Sequence, residues 1–250
     1  MPDRPGRPDR LVLVVGTGTG VGKTWVASRL IESLRAAGAH VAARKPAQSF
    51  SAAEPPGRRD AAVLGSASGE PPEAVCPPHR WYPAEMAPPM AAEVLGAPAF
   101  TLDQLVGELR WPASATGGTE LVGVVEAAGG VRSPQASDGD AVDLARRLVP
   151  DVVLVIADAG LGTINSVRLT TEALAGVCGT GAGSADPTGP DRAPLAVVLN
   201  RFDPGAELHR RNRRWLESEQ GLRVLVAPGG EEELAGFVQA APTDPAGRQG

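Results

Sequence analysis

The densest run of chemically useful residue types is Gly16-Thr17-Gly18-Thr19-Gly20-Val21-Gly22-Lys23-Thr24. Glycines let backbone N–H groups wrap around phosphate oxygens without Cβ clashes. A helix that starts at the end of such a run points its positive end at the same anion. Gly18, Thr19, Gly20, Val21 and Gly22 would form the cradle, Lys23 would reach the β- and γ-phosphates of a nucleotide, and the Thr24 hydroxyl would ligate Mg²⁺. Five residues separate Gly16 from Gly22 where the usual phosphate-binding loop has four. The alternative is a plain strand-to-helix turn. Gly-Lys-Thr at the mouth of a helix, directly after an apolar strand, favours the phosphate site.

Phosphoryl chemistry also needs a carboxylate near the metal, at the end of a neighbouring strand. Glu126 ends the apolar run at residues 121–125, LVGVV, and Gly129-Gly130 follow, where a substrate can approach the backbone closely. Asp60 is a further metal-side carboxylate, although by itself it reads first as a helix N-cap. Lys45, after another short strand, is followed by Pro46 and by the Gln48-Ser49 pair, which favours a functional lysine over a solvated strand end. Ser49 reads equally as a hydrogen-bonding site residue or as a turn serine.

These residues need a scaffold that brings several strand ends together. Residues 11–15, LVLVV, read as a strand buried on both faces, the pattern of a parallel sheet. Val26, Leu30 and Leu34 recur every four residues and predict a helix, which Gly38 is placed to stop. Further strands are expected at 41–44, 121–126, 151–157, 195–199 and 223–226, with helices at 101–110, 141–148, 163–177 and 207–219. Strands alternating with helices imply right-handed βαβ units. The expected fold class is α/β, a single-domain P-loop fold with a mostly parallel sheet and helices on both faces. Residues 51–98 are rich in Ala, Pro and Gly and carry weak periodicity, with only a short helix suggested at 60–64. Residues 1–10 read as a disordered start, 11–237 as the domain, 179–193 as a flexible loop within it, and 238–250 as a loose tail.

Composition narrows the function classes. The chain of 250 residues has a formal net charge of -5, which offers no basic surface for nucleic acid. Residues 1–10 lack an apolar signal core, and no run reaches the ~20 apolar residues of a membrane helix, so a cytoplasmic protein with no membrane partner is expected. Cys76 and Cys178 lie in no metal-binding spacing and read as reduced thiols. His40, His79 and His209 are isolated and are given no catalytic part. Arg210, Arg211, Arg213 and Arg214 read as a solvated helix face.

An ordered set of segments resembles the dethiobiotin synthase family. The glycine-rich loop has the family's five-residue spacing. Lys45-Pro46-Ala47-Gln48-Ser49, Asp60-Ala61, Ala87-Pro88-Pro89-Met90-Ala91-Ala92, Val125-Glu126-Ala127-Ala128-Gly129-Gly130 and Leu161-Gly162-Thr163-Ile164-Asn165 are similar to its later segments. Asn200 matches its base-recognition residue, and the likeness extends to Pro228. Differences are Gly18 and Gly20, where many members carry acids, Pro89 in place of His and Ala127 in place of Gly.

The resemblance implies ATP and Mg²⁺ as cofactors, with 7,8-diaminopelargonic acid and CO₂ as substrates. It assigns catalysis to Lys23, Lys45 and Ser49, and the metal to Thr24, Asp60 and Glu126. Nucleotide contacts fall to residues 18–24, Asn200 and Pro228. Substrate contacts fall to Thr19, Lys45, Ser49, Gly129, Gly130, Leu161, Gly162, Thr163, Ile164 and Asn165. In the family the 161–165 segment comes from the partner subunit, so a homodimer with shared sites is implied. The alternatives are a cobyrinic acid diamide synthase relative and a partitioning-type switch ATPase. The first usually carries a further glutaminase domain with a catalytic Cys and His, and the second an additional Lys early in the loop; residues 17–22 contain no Lys.

Overall fold

A computed structural model describes residues 7–113, 119–179 and 193–243. Six main strands form the central sheet: β1 (Arg10–Gly16), β2 (His40–Arg44), β3 (Leu121–Glu126), β4 (Val152–Asp158), β5 (Ala193–Asn200) and β6 (Arg223–Val226). Their order is β6-β5-β4-β1-β3-β2, and every neighbouring pair is parallel. Cys178–Gly179 adds a two-residue piece beside the start of β5. β1 is central, flanked by β4 and β3.

The β1 side chains alternate between two separate cores. Leu11, Leu13 and Val15 face one, and Val12 and Val14 face the other. The second core holds Val26, Leu30, Ile31 and Leu34 from α1 (Lys23–Ala36), Ala61, Leu64 and Ala67 from α2 (Asp60–Ser68), and Leu234 and Val238 from α9 (Glu231–Ala240). The first is covered by α5 (Leu102–Glu108), α6 (Ala141–Leu148), α7 (Thr163–Leu174) and α8 (Glu207–Ser218). This two-sided covering explains why the strands read as continuous apolar runs.

The expected strands and helices all form, with ends displaced by a few residues. α7 stops at Leu174 where the pattern had suggested 177. α9 continues to Ala240, beyond the domain end expected at 237. Residues 7–10 are tied to the body: Arg7 pairs with Asp151 at 3.1 Å and Arg10 opens β1. Residues 1–6, 180–192 and 244–250 lie outside the described residues, and with them most of the expected disordered start, flexible loop and loose tail.

The weakly patterned stretch between β2 and β3 forms local structure. It contains α2, the short helices α3 (Pro72–Val75) and α4 (Pro88–Val94), and a parallel pairing of Gln48–Ser49 with Trp81–Tyr82. Its helices are too short for periodicity to show. α3 and α4 begin with prolines at their first turns, where the missing N–H costs nothing. The histidines take structural positions: His79 lies 3.1 Å from Glu108, and His209 accepts a hydrogen bond from the Asp203 N–H. On α8, Arg211 pairs with Glu207 and Arg213 with Glu217, as expected of a solvated face.

Candidate active site

Parallel sheets of this kind bind ligands beyond the carboxyl ends of the strands, where connections diverge. Here residues 17–22 leave the end of β1 and lead into α1. The loop is held against its neighbours by Thr17 N–H to Ile156 O at 2.9 Å and by Asn200 Nδ2 to Val21 O at 2.9 Å. Gly22 has φ 91°, and a Cβ there would meet Asn200 Nδ2 at 2.1 Å, so conformation and space both require glycine.

Lys23 is buried and donates to Gly18 O at 2.9 Å. Burial lowers its pKa to about 8, and neighbouring Lys45 adds to this, while Glu126 and Asp60 oppose it. Such a lysine lacks a counter-charge of its own, and a phosphate would provide one. Thr24 Oγ1, with one proton to donate, lies 2.7 Å from Asp60 Oδ1 and 3.0 Å from Glu126 Oε1.

Lys45, on the way out of β2, lies between the same carboxylates, with Nζ 2.6 Å from Glu126 Oε1 and 2.7 Å from Asp60 Oδ2. Burial would lower its pKa, but Asp60 and Glu126 outweigh that and hold it above the usual lysine value. Asp60 sits below the usual carboxylate range: burial opposes this, but Lys45 and Thr24 overcome it. Glu126 is pushed up, first by burial and then by Asp60. Its Oε2 is buried without a partner. Sequence alone had suggested Asp60 as an N-cap, but the cap position of α2 is Arg59 and Asp60 is its first residue, with its carboxylate turned to Lys45 and Thr24.

Thr24 Oγ1, the Asp60 carboxylate and Glu126 Oε2 are hard oxygen donors on one wall, the set that suits Mg²⁺. The unpartnered Oε2 of a buried, poorly compensated carboxylate is where a further cation fits. Among the described residues no cluster of three or more His, Cys, Asp or Glu is present.

These groups line a cleft of about 610 Å³ together with Thr19, Gln48, Ser49, Phe50 and Gly129. Ser49 Oγ and Gln48 Nε2 are buried in it without partners. Gln48 Oε1 accepts from the Ala61 N–H at 3.0 Å and so anchors the start of α2, which carries Asp60. No spacing rule had singled out Gln48. The structure separates the two glycines: Gly129 lines the cleft, while Gly130 packs on the loop itself, where a Cβ would stand 3.2 Å from Gly18 Cα. Pro228 follows β6 through a cis peptide. Leu161, Gly162, Thr163, Ile164 and Asn165 do not line the cleft of their own chain, and Leu161 is 93% exposed.

The family described as an AAA domain matches residues 10–228, which takes in the loop, both lysines and both carboxylates. The ATP-dependent dethiobiotin synthetase BioD of Anaeromyxobacter dehalogenans is 41% identical over 211 residues, 80% of this chain and 86% of that one. The chain belongs to the dethiobiotin synthetase family. The enzyme of the same name from Haloferax mediterranei is 34% identical and spans 92% of this chain and 91% of its own. The one from Mycobacterium bovis is 37% identical over 194 residues. The matched residues 10–228 include those that line the cleft. No helix among the described residues is long and apolar enough to cross a membrane.

Proposed function

We propose that this chain is an ATP-dependent ligase that closes the ureido ring of dethiobiotin from 7,8-diaminopelargonic acid and CO₂, releasing ADP and phosphate. The observation that carries the reading is the convergence of Lys23, Lys45, Thr24, Asp60 and Glu126 on one cleft. An amine of the substrate takes up CO₂ as a carbamate. A carbamate oxygen attacks the γ-phosphorus of ATP and ADP leaves. The second amine then attacks the carbonyl carbon of the mixed anhydride and expels phosphate.

Two anions must meet in this reaction, and two unit charges at ~4 Å repel by about 4 kcal/mol in a partly desolvated site. Lys23 faces the phosphates and Lys45 the carbamate side, and their positive charge offsets that repulsion. Ser49 Oγ and Gln48 Nε2 are free to donate to anionic oxygens. Thr24, Asp60 and Glu126 would hold Mg²⁺, which when bound neutralises the triphosphate charge. No side chain acts as a nucleophile in this scheme. With Nδ2 of Asn200 engaged by the loop, its Oδ1 is an acceptor that suits the amino group of adenine. Residues 161–165 would serve the cleft of a second copy, their helix start facing the substrate's distant carboxylate. This makes the working form a homodimer, and its place the cytoplasm.

The test supplies MgATP, bicarbonate and diaminopelargonic acid and follows dethiobiotin and phosphate. Formation of both in equal amounts, lost on EDTA treatment and in Lys23→Ala, is the expected result. Phosphate release that ignores the diamine would overturn the ligase reading in favour of a switch ATPase.

A further inference from the structure

Two consecutive residues at the end of β5 hold consecutive carbonyls of the phosphate loop. Asn200 Nδ2 donates to Val21 O at 2.9 Å, and Arg201 Nη2 donates to Gly20 O at 2.8 Å. Arg201 is fixed in turn by β4, where Nη1 donates to Asp158 Oδ2 at 2.6 Å. Asp158 also accepts the Gly160 N–H at 2.9 Å, so its carboxylate cannot swing freely. The backbone of Arg201 has φ 56°, a left-handed conformation rare for a residue with a side chain. Such a residue persists only where its surroundings hold it. Here Phe202 N–H donates to Ala227 O and Ala159 N–H to Asn200 O on either side of it.

In a trans peptide the C=O and the next N–H point in opposite directions. Drawing the oxygens of Gly20 and Val21 towards the end of β5 therefore turns the N–H groups of Val21 and Gly22 the other way. The structure gives neither N–H an acceptor among the described residues. We propose that Arg201, braced by Asp158 and acting beside Asn200, is a positioning residue that presets the peptide planes of the phosphate loop for the polyphosphate. It touches neither base nor substrate. This rests on the nucleotide-binding reading given above. Without the brace, Gly20, itself at φ 73° and with open space where a Cβ would stand, would let the loop rotate these planes away from the anion.

The experiment measures binding of ATP and of inorganic tripolyphosphate to the full chain by calorimetry with no diamine present, alongside kcat, KM and Tm. Two variants are compared, Arg201→Ala and Arg201→Gly. Glycine suits the left-handed backbone, so Arg201→Gly keeps the fold while removing the side chain. Affinity for both ligands should fall about tenfold in either variant, the size expected for a charged hydrogen bond. KM for ATP should rise by the same factor with kcat within about twofold, and Tm of Arg201→Gly should hold or rise. Unchanged affinities would overturn the proposal. So would a loss confined to ATP, which would place Arg201 at the base, or a loss that tracks a fall in Tm. Because no diamine is present, failure of the ligase reading leaves this test intact, and failure of the brace leaves dethiobiotin formation intact.

Discussion

At the scale of single residues, the site is a problem of charge held out of water. Lys45 is almost fully buried, and it is tolerated because two carboxylates lie within 2.7 Å. Lys45→Ala removes the cation between them and leaves both carboxylates facing the carbamate. We expect kcat to fall by about a hundredfold or more, as for other preorganised charge stabilisers, measured by steady-state phosphate release. Glu126, already pushed up by burial, would then move further towards its protonated form. Cys76 is a contrasting case. Burial pushes its thiol up to about 12, and nearby Lys45 only partly offsets this. The reactive thiolate is thus scarce in the folded chain at any ordinary pH. Iodoacetamide at pH 8 should leave Cys76 unmodified in native protein and label it after denaturation, read by peptide mass spectrometry.

At the scale of elements, the phosphate loop depends on what surrounds it. The loop's glycines permit the path, but Asn200 on β5 and Ile156 on β4 set it. Gly22→Ala places a Cβ in left-handed backbone and against Asn200. It should lower stability by roughly 1–3 kcal/mol in urea unfolding, and ATP binding should be lost with it. α1 is held by its buried stripe and not by a side-chain N-cap, since Gly22 supplies none. Leu30→Ala should therefore cost about 2–5 kcal/mol by the same measurement.

At the scale of the whole molecule, the cleft is lined by the loop and by segments that follow β2 and β3, while residues 161–165 lie outside it. Leu161, two residues before α7, is 93% exposed, and on the proposed reading a second copy covers it. Leu161→Asp should shift the protein towards monomer in sedimentation velocity. It should also raise KM for the diamine while leaving ATP affinity within about twofold, because in the proposed function the ATP contacts come from one chain. A dimer that persists with an unchanged KM would remove this segment from the shared site.

Local order in the chain was enough to read the loop, the six strands and Lys23 at the mouth of α1, because each rests on short-range pattern: glycine spacing, apolar runs, helical periodicity. Lys45, Asp60 and Glu126 were each candidates from their strand-end and neighbouring residues, and the resemblance joined them into one set. Tertiary structure decided the rest. It placed Asp60 as the first residue of α2 and turned its carboxylate to Lys45, 15 positions away in sequence. It divided Gly129 from Gly130, gave Gln48 its place, and set Arg201 on the loop. The reason is physical: a period of two or 3.6 residues says which face of an element is buried, but not which distant element meets it. Where a side chain's partner comes from another strand end, only the packed sheet can name it.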